Sequence, residues 1–420
     1  MRIAQIAPLH ERVPPRLYGG TERVVSFLTE ELVRQGHDVT LFASGDSQTS
    51  ARLIRCCDMA LRFNPAVRDA LPYHMIMLDQ VRRRVDQFDV LHFHVDLLHA
   101  PLMRDIANRT LTTLHGRLDL PDLAPFYAAF RDLPLASISS NQRGYLGNAN
   151  WLGTVYHGLP RELLPFCPMS DGYLAFLGRI SPEKRPDLAI EIAARTGIRL
   201  KIAAKVDRAD QAYWETEIRP VVADNPDVEF IGEIGERDKA DFLGGALALL
   251  FPIDWPEPFG LVMIEAMACG TPVIAYRRGA VPEVVEENVS GFVVDTIEEA
   301  VMAVRRIGDL NRAEVRAEFE RRFTAERMAH DYVGIYRQLL AAYSQPAKTL
   351  NGKHGAWPAV QLSRSPKLMS ETQPINASKG VSLSSANSAG KIIGRRPSFG
   401  RETSSQFGSS GQAVRRNIPE

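Results

Sequence analysis

Two glutamates, Glu257 and Glu265, bracket the segment of the chain whose residue types most clearly indicate chemistry. The apolar run Ala248 to Phe251 predicts a buried strand before them, and Leu261 to Ala268 predicts a helix that Gly270 ends. Both carboxylates therefore lie near the junction between the carboxyl end of a strand and the start of a helix. Loops at such junctions carry binding groups in α/β proteins.

The loop at this junction is built from residues that restrict the backbone. Pro256 and Pro258 hold it in an extended path, and Gly260 allows the backbone to approach a ligand closely. The free amides at Phe259, Gly260 and Leu261 then open the helix, and a helix start binds anions. The two glutamates are at most ~12 Å apart at the helical rise, about the distance between the ribose and the hexose of a nucleotide sugar. An ordinary strand–helix unit with surface glutamates would show the same spacing.

The longer string resembles a known signature. It reads Glu257-Pro-Phe-Gly-Leu-x3-Glu265-Ala-Met-Ala-x-Gly270-x-Pro272-Val. This string is similar to the Glu-x7-Glu motif of the retaining glycosyltransferases of family 4, also called group 1, which have the GT-B fold. The resemblance implies two Rossmann-like α/β domains that face each other across a cleft holding a nucleotide-sugar donor.

The resemblance also implies roles for the two glutamates. Glu265 would accept hydrogen bonds from the ribose hydroxyls, and Glu257 would hold hydroxyls of the donor sugar as part of the catalytic centre. In enzymes of this kind no side chain is an agreed nucleophile. The departing phosphate is taken to help deprotonate the acceptor, which attacks the same face of an oxocarbenium-like carbon. No catalytic base is therefore assigned.

Two cations lie on one predicted strand–helix loop, Gly178-Arg179-Ile-Ser-Pro-Glu-Lys184. The Arg179 guanidinium, which can donate two parallel hydrogen bonds, and the flexible Lys184 ammonium can both reach a diphosphate. Breaking a sugar–phosphate bond leaves growing negative charge on that diphosphate, which these cations would stabilise. A pair of surface cations is the plain alternative, and the resemblance at both positions favours donor binding.

The sequence predicts that no metal is needed. It contains no Asp-x-Asp motif of the kind that holds a divalent ion in transferases of the other common fold, so the cations and the helix amides would do that work. It also lacks a Walker loop and the GxGxxG fingerprint, which leaves NTP hydrolysis and a nicotinamide cofactor without support. We expect no cofactor beyond the nucleotide-sugar co-substrate.

The first half begins as a Rossmann-like strand–helix–strand unit. Arg2 to Pro8 predicts a strand, Tyr18-Gly19-Gly20-Thr21 opens a helix, and Val39 to Ala43 predicts the next strand. By themselves the two glycines indicate a turn. In the resemblance they let this loop close over the donor diphosphate from the opposite side of the cleft.

Three histidines follow predicted strands of the first half, at His92, His94 and His115. Histidines in this place point into the crevice where α/β proteins bind ligands. His92-x-His94 could begin a metal site, but no array of partner ligands follows in the sequence. His92 is better interpreted as a core residue and His94 is left open. His115 matches the family histidine near the transferred sugar, and we predict that it belongs to the catalytic centre.

The second half alternates strands and helices again and predicts a second parallel sheet. Its Ile234 follows a strand end where the family makes backbone contacts to the base. We predict a first domain over residues 1–165, a nucleotide-sugar-binding domain over 172–325 and a closing helix over 326–345 that crosses back to the first domain. The stripe of that helix comprises Met328, Tyr332, Ile335, Tyr336, Leu339 and Tyr343.

Composition limits the partners and the compartment. Residues 346–420 contain eleven Lys or Arg and three acids, so this tail carries +8 and residues 1–345 carry −8. An acidic body argues against nucleic acid, and the Ser-, Gly- and Pro-rich tail is predicted to be disordered. Four cysteines without ligand spacing fit a reducing cytoplasm. The run Arg82 to Arg84 allows peripheral contact with the inner face of a membrane, and a solvated helix face explains it equally directly.

The sequence therefore predicts a retaining hexosyltransferase that uses a UDP- or GDP-sugar and an unidentified hydroxyl acceptor, which could be a glycan, a lipid or a small molecule. Two other functions use the same architecture. One is nucleotide-sugar epimerisation, and the other is noncatalytic binding of a nucleotide sugar.

Overall fold

A computed structural model of the 420-residue chain describes residues 1–17 and 19–344. Three sequence predictions fall outside these residues: the disordered tail 346–420, the place of Tyr18 in the first turn, and the side chain of Tyr343 in the helical stripe. All structural statements below concern the described residues.

The first half forms a seven-stranded parallel sheet. Along the chain its strands are β1 (Arg2–Ile6), β2 (Asp38–Ser44), β3 (Arg52–Cys57), β4 (Val90–Phe93), β5 (Thr110–Thr113), β6 (Leu135–Ser137) and β7 (Trp151–Thr154). Their order across the sheet is β3-β2-β1-β4-β5-β6-β7. The predicted strand from Arg2 ends at Ile6, two residues earlier than expected.

The second half forms a six-stranded parallel sheet. Its strands are β8 (Tyr173–Arg179), β9 (Leu200–Lys205), β10 (Val228–Gly232), β11 (Ala246–Phe251), β12 (Val273–Tyr276) and β13 (Gly291–Val294), in the order β10-β9-β8-β11-β12-β13. The predicted second parallel sheet is therefore confirmed. Most of its strand residues are buried, which explains why they read as apolar runs.

Helices cover both sheets. In the described part of the chain they are α1 (Gly20–Arg34), α2 (Leu71–Arg82), α3 (Ala100–Met103), α4 (Leu123–Ala129), α5 (Ser140–Arg143), α6 (Pro186–Thr196), α7 (Gln211–Tyr213), α8 (Arg219–Ala223), α9 (Glu236–Gly244), α10 (Leu261–Ala268), α11 (Val281–Val284), α12 (Ile297–Arg306), α13 (Arg312–Arg322) and α14 (Ala325–Ser344). None of these helices is long and apolar enough to cross a bilayer.

The strand order of each sheet reverses at one place, and this switch point fixes where the loops can form a site. Strand β1 pairs with both β2 and β4, so the loops after β1 and β4 diverge at this point. In the second sheet β8 pairs with β9 and β11, and the loops after β8 and β11 diverge in the same way. A crevice at the carboxyl ends of the strands forms at such switch points.

The last helix, α14, packs on the first sheet although it follows the second in sequence. Its buried residues Met328, Tyr332 and Tyr336 share a core with Ile3 of β1 and Val24 of α1. Thr324 begins the helix, because its Oγ1 accepts a hydrogen bond from the Arg327 amide at 3.2 Å. The chain thus returns to the first half before it ends.

Strand β3 is an element of the first sheet that the sequence did not predict. Arg52 and Arg55 interrupt its apolar pattern, and the strand lies at the sheet edge with most residues half-buried or exposed. Charged side chains are common on edge strands, where they oppose pairing with other chains. The absence of a long apolar run therefore follows from the position of the strand.

Gly158 packs closely against the backbone at the start of α14. A Cβ at Gly158 would lie 2.2 Å from the backbone oxygen of Thr324, and the neighbouring Leu159 pairs with Thr324. Gly158→Ala must displace backbone, so we expect the free energy of unfolding to fall by about 2 kcal/mol, measured by urea denaturation. Gly334→Ala is the matched control, because no atom lies within 4 Å of its added Cβ. Equal stability of the two variants would contradict the close packing at Gly158.

Candidate functional site

A cleft of about 500 Å³ lies between the two sheets and is lined by residues of both halves. All residues that the sequence analysis proposed for the site line it: Gly19, Gly20, His115, Arg179, Lys184, Ile234, Glu257, Phe259, Gly260, Leu261 and Glu265. They come from strand ends of both sheets, from the loops after them and from the helices that follow, so their meeting in one place agrees with the switch points described above. Their individual roles stay predictions.

Glu257 and Lys184 form an ion pair on the wall that the second half contributes. Lys184 Nζ lies 2.6 Å from Glu257 Oε2, and Trp255 Nε1 donates a hydrogen bond to the same oxygen at 2.9 Å. The ammonium also lies 4.6 Å from the centre of the Trp255 ring. Pairing of this kind fixes both side chains at the loop after β11, and it keeps the lysine charge at the cleft.

The N-terminus of α10 opens on this wall without a cap. Gly260 precedes the helix with φ +86°, a left-handed conformation that glycine adopts without strain, and no side chain among residues 1–17 and 19–344 caps the first turn. Gly260, Leu261 and Val262 all line the cleft. Uncapped backbone amides and the helix dipole are the features that attract anions to a helix start.

Arg179 lies at the end of β8 and is held by carboxylates. It forms an ion pair with Glu183 one turn along the loop, and its guanidinium is 3.8 Å from Asp207 and 3.5 Å from Asp210. These acids orient the guanidinium at the edge of the cleft, and any anion that binds there must compete with them. The sequence analysis did not anticipate this acidic surround.

Glu265 is a buried carboxylate between two cations from different halves. Its side chain is 3% exposed, and its Oε1 lies 2.6 Å from Arg23 Nη1 of α1 and 2.7 Å from Lys239 Nζ of α9. Burial alone would raise the pKa of Glu265, but the charges and hydrogen bonds of Lys239 and Arg23 outweigh it and lower this pKa. Arg23 also contacts Glu236 at 3.0 Å, so it joins the two halves across the cleft.

The histidine cluster lies on the wall that the first half contributes. His115 Nε2 is 2.8 Å from His94 Nδ1, and burial lowers the pKa of His115 to about 3. His157 stacks on His115 with ring centres 5.3 Å apart and meets the edge of Phe259 at 4.9 Å. His92 is fully buried with both ring nitrogens hydrogen-bonded, which fits its interpretation as a core residue.

Several residues of the cleft were missed by sequence reasoning. Arg23, Lys239 and Trp255 carried no motif, and the contact of Arg23 with Glu265 depends on the distance between the two halves. Sequence reasoning assigned no role to His157. The one signal available was its place before Gly158, at a turn that follows a strand.

The sequence left open a metal site that begins at His92 and His94. Within residues 1–17 and 19–344, the structure shows no group of three or more His, Cys, Asp or Glu side chains arranged to hold a metal ion.

Comparison with known families identifies the class of protein that this fold and cleft define. Residues 18–164 match the glycosyltransferase family 4 model, and residues 167–324 match the model described as glycosyl transferases group 1. The chain therefore belongs to the family 4, group 1 glycosyltransferases. The recognition made from the motif around Glu257 is confirmed.

Individual relatives match over part of their length. The chain is 32% identical over 209 residues to a D-inositol 3-phosphate glycosyltransferase of Mycolicibacterium smegmatis, an alignment that covers 44% of this chain and 45% of the relative. A protein of the same name from Salinispora arenicola is 31% identical over 208 residues, covering 43% and 44% of the two chains. The chain thus aligns with less than half the length of these relatives.

Solved structures agree with the fold over a longer span. Sucrose-phosphate synthase of Thermosynechococcus elongatus superposes with a TM-score of 0.68 at 20% identity, over 81% of this chain and 100% of the other. The Anabaena protein HepE in complex with UDP and glucose superposes with a TM-score of 0.62 at 19% identity, over 82% and 100%. These likenesses confirm the expected GT-B fold.

The buried ion cluster around Glu265 predicts a pH-dependent contribution to stability. Glu265→Gln leaves two cations with only Glu236 as counter-ion, so we expect the free energy of unfolding at neutral pH to fall by about 3 kcal/mol. Because the folded-state pKa of Glu265 is lowered, its contribution is complete above the unfolded pKa of about 4.3 and disappears as the pH falls through the folded value. The difference in the free energy of unfolding between wild type and Glu265→Gln should therefore become smaller at acidic pH.

The measurement is urea denaturation of both proteins across this pH range. Glu298→Gln serves as the control, because Glu298 forms its ion pair with Arg195 at the surface, where loss of the pair should cost far less stability than Glu265→Gln. A Glu265→Gln variant as stable as wild type at neutral pH would contradict the described electrostatics.

Proposed function

We propose that the chain is a retaining glycosyltransferase that moves a hexose from a UDP- or GDP-sugar to a hydroxyl acceptor without a metal ion. The observation that carries the proposal is the position of Lys184, paired with Glu257 at 2.6 Å beside the uncapped start of α10. A cation and free backbone amides thus meet on one wall of the cleft, next to a carboxylate suited to sugar hydroxyls. This is the arrangement that a sugar diphosphate requires.

The leaving group explains why the charges matter. Cleavage of the sugar–phosphate bond transfers an electron pair to the diphosphate oxygen, and the resulting charge needs preorganised donors. We propose that Lys184, Arg179 and the amides of Gly260 and Leu261 provide them, while the first loop with Gly19 and Gly20 covers the diphosphate from the other wall. Lys184 would exchange part of its contact with Glu257 for the phosphate. Glu257 would then hold hydroxyls of the hexose.

The nucleoside end of the donor would lie toward Glu265. Arg23 and Lys239 both contact Oε1 of this carboxylate, and we propose that Oε2 accepts hydrogen bonds from the ribose hydroxyls. A lowered pKa keeps Glu265 ionised, which suits an acceptor of two hydroxyl protons. The backbone near Ile234 lines the same end of the cleft and would contact the base.

The donor class draws support from the neighbours. The Anabaena protein HepE is described in complex with UDP-glucose as well as with UDP and glucose. We extend a nucleotide-sugar donor to this chain on the basis of the shared fold and the residues above. The name of the Mycolicibacterium and Salinispora relatives refers to an inositol phosphate, but those alignments cover under half of each protein. We propose only that the acceptor offers a hydroxyl to the first-half wall.

Retention of configuration would follow from the geometry of attack. The acceptor hydroxyl approaches the face from which the diphosphate departs, and a phosphate oxygen takes its proton. His115 lies on the opposite wall from Lys184 and would contact a hydroxyl of the hexose. The role of the protein in this step is to position the sugar and to stabilise charge.

We further propose that the protein works in the cytoplasm and that its arginine run, Arg82 to Arg84, faces solvent. The four cysteines are free thiols, which supports a reducing cytoplasm. Arg82 pairs with Asp105 at 2.6 Å and Arg83 with Asp79 at 2.8 Å, so the arginine run has partners on the protein itself. These pairs favour a solvated helix face over contact with anionic lipid.

The proposal predicts a large effect of one lysine on transfer. Lys184→Ala should lower the rate of sugar release from the preferred donor by about a hundredfold, as expected for loss of one aimed electrostatic contact. The assay incubates the chain with UDP-, GDP- and ADP-sugars and follows free nucleoside diphosphate. Lys201→Ala is the matched control, because Lys201 lies on β9 beside Tyr173, away from the cleft.

The products separate the proposed reaction from its alternatives. Released diphosphate from one donor supports transfer, whereas a changed sugar without released diphosphate would mean epimerisation. Equal rates for Lys184→Ala and Lys201→Ala would refute the proposed stabilisation of the leaving group.

Metal independence is tested by chelation. We expect EDTA to leave the rate of diphosphate release nearly unchanged, because protein cations and amides take the place of a divalent ion. The comparison uses the same donor with EDTA and with added Mg²⁺. Loss of activity in EDTA that Mg²⁺ restores would show that the reaction needs a metal.

A further inference from the structure

A chain of hydrogen-bonded side chains connects His115 in the cleft with helix α14. Its members in order are His115, His94, Gln5, Tyr336, His92, Thr113 and Tyr332. The six contacts between them range from 2.7 to 3.2 Å. Apart from His115, every member is at most 2% exposed.

The alternation of side chains along the strands brings these groups together. Gln5 follows Ile3 on β1 at a spacing of two, and Thr113 follows Leu111 on β5 in the same way. Ile3 and Leu111 belong to the core that α14 covers, so the polar residues lie beneath the same helix at the carboxyl ends of their strands. A polar layer thus separates the apolar core from the cleft.

The amide of Gln5 sets the direction of the chain. Its Oε1 lies 2.7 Å from His94 Nε2, and its Nε2 lies 3.2 Å from the hydroxyl oxygen of Tyr336. An amide oxygen only accepts, so His94 must carry its proton on Nε2 and use Nδ1 as an acceptor. His115 therefore donates from Nε2 to His94, and its Nδ1 keeps a lone pair.

The opposite donor-to-acceptor direction along this hydrogen-bonded chain is less favourable. It would require a flipped Gln5 amide, and it would place a proton on His115 Nδ1, which has no hydrogen-bond partner among the described residues. A buried N–H without a partner costs more than a buried lone pair, and such donors are rare in folded proteins. The direction that begins at His115 Nε2 avoids this cost.

Burial keeps His92, His94 and His115, the three histidines of this hydrogen-bonded chain, neutral. It lowers the pKa of His115 to about 3, and it lowers the pKa of His92 and of His94 well below the usual value. A neutral imidazole has one donor and one acceptor nitrogen, so each ring transmits the direction set by its neighbour.

We propose that Tyr336, Gln5 and His94 are positioning residues that hold His115 in the Nε2-protonated tautomer, so that its Nδ1 accepts a hydrogen bond from a hydroxyl of the sugar in the cleft. This inference rests on the proposed function for the identity of the ligand. The tautomer itself does not depend on any ligand. Helix α14, which follows the second half of the chain, thereby completes the site on the first half.

Two tyrosines of α14 provide a matched test. Tyr336→Phe removes the hydroxyl that accepts the hydrogen bond of the Gln5 amide. Tyr332→Phe removes the hydroxyl that contacts Thr113, at the end of the hydrogen-bonded chain farthest from His115. Both side chains are fully buried, so the two variants should lose similar thermal stability. Freed from Tyr336, the Gln5 amide can rotate and present its NH₂ to His94, which would shift the proton of His115 to Nδ1.

The first measurement is the ¹⁵N spectrum of the histidine ring nitrogens in the full chain, with the His115 signals assigned from a His115→Asn variant. We expect protonated Nε2 on His115 in wild type and in Tyr332→Phe, and a mixture of tautomers in Tyr336→Phe. Wild type with protonated Nδ1, or Tyr336→Phe with an unchanged spectrum, would overturn the inference. Should Tyr336→Phe fail to fold, Gln5→Met interrupts the same chain from β1 and must give the same mixture.

The second measurement is donor kinetics. Tyr336→Phe should lower kcat about tenfold relative to Tyr332→Phe, the effect of one misaligned hydrogen bond, with a smaller change in KM. Equal kcat values for the two variants would overturn the positioning role. If wild type transfers no sugar, the proposed function fails, and the ring-nitrogen spectrum still decides whether the chain fixes the tautomer.

Discussion

The first turn of α10 presents backbone amides that no side chain in the described part of the chain caps, and much of the cleft is arranged around this unmet hydrogen-bonding capacity. Gly260 turns the chain into the helix at positive φ, which places the amides at the end of β11. Lys184 and Glu257 flank the turn and fix each other. An anion that enters the cleft therefore meets donors that are already in place, and little reorganisation is needed when charge develops on it.

The two halves are joined by interactions that are themselves part of the site. Arg23 of the first half reaches Glu265 of the second, and the ion cluster so formed lies in the part of the cleft where we propose that the nucleoside binds. At the other wall, α14 returns from the second half and orders the polar layer beneath His115. The relative position of the two sheets and the chemistry of the cleft thus depend on the same side chains.

Sequence patterns predicted the sheets and the loops because both have local causes. Buried parallel strands read as short apolar runs, and the motif from Glu257 to Gly270 contains both the turn and the helix start. Contacts between distant segments have no such local signal. Arg23 and Glu265 are 242 positions apart, and Gln5 and Tyr336 are 331 positions apart. Their pairing depends on how two sheets and a returning helix pack, which periodicity does not encode.

Side chains whose contacts join distant parts of the sequence were the hardest to interpret. Sequence reasoning assigned no role to His157, and only the structure showed that its ring stacks on His115 in the cleft. Arg179 matched the family, yet the sequence did not predict that Glu183, Asp207 and Asp210 would surround it. In both cases some of the neighbouring side chains come from other loops.

The most direct test of the account is calorimetric titration of the purified chain with UDP-, GDP- and ADP-sugars in buffer that contains EDTA. The account predicts saturable binding of at least one donor at one site per chain, because the amides of α10 and the neighbouring cations need no metal to hold a diphosphate. Absence of binding by all three donors, or binding that appears only after Mg²⁺ replaces EDTA, would contradict it.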